Sequence, residues 1–186
     1  MIAKETYKVI RSIVGPWFRR NGFKLGKSSY LTYQKAIGDK LFLVRFQCHH
    51  HGWEKHKGSS FTVWLQFSPE QDLAHMMANR LTSYLALPEL EYMRARQNRV
   101  LGAIPPPPPE YINEMVVGFK KVFRYHAQQY IDIYLSDWKL VDKPYAATSD
   151  IWFRYLTEDD VHSWAILMYK HVENLYLQFA GDSAEQ

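Results

Sequence analysis

One cysteine, Cys48, stands in a chain of 186 residues. An internal disulfide is therefore excluded, and the usage suits a reducing compartment, the cytoplasm by default. No apolar run approaches the roughly 20 residues that span a bilayer, so no membrane partner is expected. The stretch Met1-Ile2-Ala3-Lys4-Glu5-Thr6-Tyr7 has no hydrophobic core followed by a small-residue cleavage site, and no secretory signal is expected there. Chemical motifs are equally scarce. There is no Gly-x-Ser-x-Gly turn to present a nucleophilic serine, and no Gly-rich phosphate loop. No paired cysteines or His-x3-His spacing complete a zinc site. No helix-turn-helix, RNA-recognition or zinc-finger signature appears, and no internal repeat.

What is present points to one buried core. Hydrophobic residues make up 47% of the chain and aromatics 16%, which excludes disorder. The length suits a single domain rather than two. The formal charge of +4 is unevenly spread. Residues 1–27 carry Lys4, Lys8, Arg11, Arg19, Arg20, Lys24 and Lys27 against Glu5 alone, whereas residues 130–186 hold ten acidic and four basic groups. Such an asymmetry bears on association with charged partners, not on fold.

Two alternating segments dominate the pattern. Phe42, Val44, Phe46 and Cys48 take every second position of 41–48, and Phe61, Val63, Leu65 and Phe67 do the same in 60–67. Period two marks strands with one buried face. With the strand-like residues 30–34 they predict an antiparallel meander, to which a short strand at 151–155 can be added. Between them lies His49-His50-His51-Gly52-Trp53-Glu54-Lys55-His56-Lys57-Gly58, with half of the protein's histidines.

The remainder reads as helix. Ile10, Ile13, Val14, Trp17 and Phe18 give a helix over 5–20, with Pro16 expected to kink or divide it and Asn21-Gly22 to cap it. Ser68-Pro69-Glu70-Gln71 predicts the start of a helix carrying Leu73, Met76, Met77, Leu81, Tyr84 and Leu85. Pro88 is expected to interrupt, and residues 89–101 to form a more polar helix stopping at Gly102. Pro105 to Pro109 reads as a polyproline II spacer. From Glu110 one long helix is expected through Ile131, then an irregular stretch over 138–150. Thr157 with Glu158, Asp159 and Asp160 starts a last helix running to Phe179. Within it, residues 173–178 resemble a protease-cleavage sequence but continue the apolar stripe and are read as native helix. The expected fold is therefore α+β, a small antiparallel β-meander packed against several helices in a single domain. Residues 1–67 are its sheet-forming part, and 68–186 are mainly helical.

The motifs Asn21-Gly22-Phe23-Lys24, Tyr30 to Tyr33, Leu43-Val44-Arg45-Phe46-Gln47 and Ser60-Phe61-Thr62-Val63 together resemble the bacterial domain-of-unknown-function family 4304. Asp150-Ile151-Trp152-Phe153 is similar to that family's closing segment. The resemblance implies a compact bacterial α+β domain and adds no catalytic residue.

Three functions compete. Cys48, His49, His50, His51 and His56 are ligand types for a metal-dependent enzyme, but the set lacks the spacing of a closed site, and no tightly bound metal or other cofactor is expected. Arg19, Arg20, Lys24 and Lys27 beside Tyr30 and Tyr33, with Trp64 directed away from the core, suit a single-stranded nucleic acid. The surplus of aromatics, six Trp and thirteen Tyr, suits a protein interface. The leading expectation is a non-catalytic module of the bacterial inhibitor or immunity type that binds another, acidic protein. Its expected contact residues are Gln47, His49, His51, Trp53 and His56 at the hairpin tip, with Arg19, Arg20 and Lys24.

Overall fold

A computed structural model describes residues 2–49, 58–69, 79–104, 107–136 and 151–182. The fold is α+β. Its strands are β1 (Lys24–Leu25), β2 (Leu31–Ile37), β3 (Lys40–Cys48), β4 (Ser59–Pro69), β5 (Asn79–Arg80) and β6 (Phe153–Tyr155). Its helices are α1 (Ala3–Arg20), α2 (Leu87–Gly102), α3 (Pro109–Phe123), α4 (Ala127–Ser136) and α5 (Glu158–Asp182). All strand pairs are antiparallel, and β2, β3 and β4 form the expected meander. The far edge of β4 is shared: β6 pairs with residues 59–61 and β5 with 64–65.

Alternation along β3 and β4 separates two faces. Phe42, Val44 and Phe46 on β3, with Phe61, Val63 and Leu65 on β4, are buried on the inner face. Ile10, Val14, Trp17 and Phe18 of α1 and Val161, Trp164, Ala165 and Met168 of α5 join them in one core. Burying each such large apolar side chain contributes about 1.5–3 kcal/mol. Aromatic contacts run through this layer, from Phe18 stacked on Tyr33 to Phe67 stacked on Phe179. Residues 173–178 lie within α5, where Glu173 accepts the indole hydrogen bond of Trp17 at 2.7 Å and Tyr176 is buried.

Local chemistry explains the helix ends. Gly22, at φ 77, ends α1, with Gly22 N–H donating to the Arg19 carbonyl and Phe23 N–H to that of Phe18. The Phe18 and Phe23 rings meet at 4.9 Å, the apolar contact that accompanies this cap. Thr157 and Asp160 cap α5 reciprocally, through Asp160 N–H to Thr157 Oγ1 and Thr157 N–H to the Asp160 carboxylate. Pro16 does not divide α1, which is continuous from Ala3 to Arg20. It is exposed, as is Ser12, whose carbonyl lacks the Pro16 donor and faces water.

Several helical expectations are corrected. Ser68 is not a helix cap but a buried strand residue opposite Leu41, with Gln66 donating to its hydroxyl. Asn79 and Arg80 are strand, and residues 81–84 form a 3-10 turn that buries Leu81. Residues 70–78 of that expected helix lie outside the described residues. Pro88 falls in the first turn of α2, where its missing N–H costs nothing. Pro108 has the expected extended backbone and Pro109 begins α3, while Pro105 and Pro106 lie outside the described residues. The expected long helix breaks at Arg124, which takes φ 43 and starts a 3-10 turn before α4. The expected irregular stretch 138–150 also lies outside the described residues. No helix among the described residues is long and apolar enough to cross a membrane.

On the inner side, α5 meets α2 through His171 Nδ1 and Glu89 Oε1 at 3.4 Å. Burial lowers the His171 pKa below its usual 6.5, and the Glu89 carboxylate opposes that shift. The unfolded chain therefore takes the proton before the folded one does. Stability should fall as the pH drops below about 6.5, levelling off once the folded state is also protonated. Urea midpoints at about pH 7.5 and about pH 5.5 should differ less for His171→Gln than for the wild type. An equal drop in both proteins would refute this assignment.

Candidate functional site

The inner and outer faces of the sheet separate Cys48 from His49. Cys48 ends the inner face, where its backbone N–H donates to the Tyr7 hydroxyl at 3.1 Å. Burial pushes its thiol pKa up to about 11, although hydrogen bonds from Tyr7 and Tyr155 oppose the rise. The sulfur is thus held as the thiol, the form unsuited to nucleophilic attack or metal ligation. Tyr155 in turn accepts from Thr6 Oγ1 at 2.9 Å, closing a buried hydroxyl cluster at this end of the core.

His49 turns the other way. Its backbone N–H continues the ladder to the Ser60 carbonyl at 2.8 Å, and its ring meets Trp152 edge to face at 5.2 Å. Cys48 and His49 therefore do not converge on an ion. Among the described residues no three His, Cys, Asp or Glu side chains do so. His50, His51, Trp53 and His56 lie outside the described residues.

The outer face carries a row of alternating aromatic and cationic side chains. It begins at Tyr30, whose ring lies 5.8 Å from the Arg45 guanidinium on β3. Arg45 is the cross-strand partner of Trp64 on β4, and Trp64 is that of Arg80 on β5. The Arg80 guanidinium sits 4.7 Å from the Trp64 ring and 5.0 Å from that of Trp152. Trp152 then meets His49, as above. Gln47 closes the arrangement, its Oε1 accepting the Trp64 indole N–H at 2.7 Å. Strand pairing sets this geometry, because neighbours on one face of paired strands are close enough for long side chains to touch. Arg45, Gln47, His49, Trp64, Arg80 and Trp152 are all half-buried, and Tyr30 is 37% exposed.

Of the expected contact residues, Gln47 and His49 are thus brought together. Arg19, Arg20 and Lys24 are exposed but belong elsewhere. The start of α1 lies at the Cys48 end of the sheet through Tyr7. At about 1.5 Å per residue, Arg19 lies roughly 18 Å further along the helix axis. Lys24 is on the short edge strand β1. Trp64 points outward as its alternation predicts. The row also recruits Arg80, which no pattern marks because β5 has only two residues, and Trp152, which the sequence places at the expected strand 151–155 without marking it as a site residue.

The core absorbs part of the aromatic surplus. Trp17, Trp164, Tyr33, Tyr155 and Tyr176 are buried. Among the described residues only Trp64 and Trp152 of the tryptophans remain at the surface, both in the row. Comparison with family models, curated proteins and solved structures finds no match to this chain.

Proposed function

We propose that the protein is a non-catalytic binding module for another protein, of the bacterial inhibitor or immunity type, acting in the cytoplasm. The observation that carries this reading is the Tyr30–Arg45–Trp64–Arg80–Trp152–His49 row on the outer face. Trp, Tyr and Arg are the residue types that dominate interface energetics when desolvated. They lie here on the rigid strands of the sheet, or beside them, where little entropy remains to be lost on binding. The cations favour an acidic partner and speed its encounter. The single thiol is held protonated, and among the described residues no three His, Cys, Asp or Glu side chains gather at one place, so recognition rather than turnover is the reading favoured. The resemblance to family 4304 accords with a small bacterial domain of this kind.

A nucleic-acid reading draws on the same alternation, since stacked bases and phosphates want aromatic faces and cations in turn. The two differ in salt dependence. Phosphate binding falls steeply and log-linearly with salt, whereas a packed protein interface loses mainly on-rate. Capture from native cells, with protein and nucleic acid both identified, separates them. The captured protein should then bind the purified chain, and Trp152→Ala should weaken that binding by about 30-fold, the effect of a hot-spot residue. Recovery of RNA or DNA alone, released log-linearly by salt, would replace this reading with the second.

A further inference from the structure

Neither α3 nor α4 contributes a residue to the core between the sheet, α1 and α5. The two helices pack on each other, and α3 carries no buried residue along its whole length. Its half-buried apolar side, which includes Ile112, Met115 and Phe119, accounts for only part of its circumference. Glu114, Val117, Gly118 and Lys121 recur at steps of three and four on the opposite side, and all four are exposed. Val117 is 66% exposed, and Val122 at the flank of this face is 70% exposed.

Two features of the open face call for a neighbour. Gly118 stands in the middle of a helix, where glycine is less stable than alanine. Its φ is not positive, and nothing lies within 4 Å of an added Cβ, so neither the backbone nor crowding requires glycine there. What glycine offers is a close approach for another backbone. The charges are also segregated, with Glu110 and Glu114 in the first half of α3 and Lys120 and Lys121 in its last turn. The helix dipole explains charges at the two ends, but not the exposed valine and glycine between them. Glu114 and Lys121 have no ionic partner among the described residues.

We infer that this face of α3 is a self-association surface, paired antiparallel with α3 of a second copy of the chain across a two-fold axis. The helix carries its own complement, as an isologous contact requires. An axis passing between Val117 and Gly118 sets Val117 against Gly118 of the second copy and Glu114 against Lys121 of the second copy, each contact occurring twice. A parallel pair would instead set Glu114 against Glu114 and Lys121 against Lys121. The inference goes beyond the binding-module reading and uses none of the residues of the outer row.

The test is sedimentation of the whole chain. One helix face makes a small interface, so the wild type should pass from monomer to dimer between about 5 and about 500 µM. Glu114→Lys and Lys121→Glu should each raise the dissociation constant about 10-fold or more, because both copies of an attractive pair become repulsive. An equimolar mixture of these two variants should dimerise like the wild type, since each chain supplies the charge the other lacks. Gly118→Leu should abolish the dimer while keeping or raising the unfolding midpoint measured at low concentration, because leucine favours the helix and meets no neighbour within the chain. A wild type that stays monomeric throughout would overturn the inference. So would a dimer that Gly118→Leu leaves intact, or a mixture of the two charge variants that fails to associate.

Discussion

Gly58→Ala is expected to destabilise the fold by about 2–5 kcal/mol, a left-handed backbone penalty and a steric clash acting together. Gly58 takes φ 64, where an L side chain is disfavoured. A Cβ added there meets the Tyr155 carbonyl oxygen at 2.3 Å and Leu156 Cδ2 at 2.9 Å. The backbone oxygen cannot swing aside as a flexible side chain would, so β6 must move away from the start of β4. Gly38, in the β2–β3 turn, supplies the control. It too has positive φ, at 60, but nothing lies within 4 Å of an added Cβ. Gly38→Ala should therefore cost only the backbone part, about 1–2 kcal/mol. Urea denaturation followed by tryptophan fluorescence measures both. Equal losses in the two variants would show that β6 is not held tightly against β4 at this point.

That contrast bears on what the sequence made legible. The meander was readable because each strand buries one face, and Phe42, Val44 and Phe46 cannot shift by one residue without leaving the core. Thr157 and Gly22 were readable because caps obey local chemistry. Ser68 was misread for the same reason. Its Ser-Pro start is a genuine helix signal, but pairing along the full length of β3 carries β4 through Pro69 and overrides it. The break at Arg124 left no trace, since neither glycine nor proline stands there to mark it.

The candidate site was half legible. Gln47, His49 and Trp64 follow from alternation, because odd positions of β3 and even positions of β4 share the outer face. Arg80 arrives on a strand of two residues, below the length at which periodicity means anything, and Trp152 just before one of three, a strand the sequence suggested without its pairing. Only tertiary pairing with β4 brings Arg80 to Trp64 and Trp152 to Arg80. The aromatic count alone locates no site, because the core takes in Trp17, Trp164, Tyr33, Tyr155 and Tyr176 while Tyr92 and Tyr125 stand exposed on other elements.

Trp164→Ala should cost about 3–5 kcal/mol, as the removal of a fully buried indole does elsewhere. This residue of α5 fixes β6 in place. Its indole N–H donates to the Arg154 carbonyl at 2.6 Å, and its ring lies 5.0 Å from that of Phe153. The Arg96 guanidinium of α2 sits 5.1 Å from the same ring, so three elements meet there. Trp164→Phe keeps most of the apolar area and loses the hydrogen bond, and its cost should be nearer 1–3 kcal/mol, roughly that of a lost buried hydrogen-bond partner. If the two variants cost the same, the hydrogen bond to Arg154 would dominate over burial. A functional consequence follows from chain connectivity. Trp152 directly precedes β6 and is aimed at Arg80 and His49 only while Phe153 and Arg154 hold their register with β4. Loosening β6 from the inner side should therefore disorder one end of the outer row. Trp164→Phe, still folded, is expected to weaken partner binding although its side chain lies on the opposite face of the sheet. Unchanged affinity in that variant would mean that Trp152 contributes little to the interface.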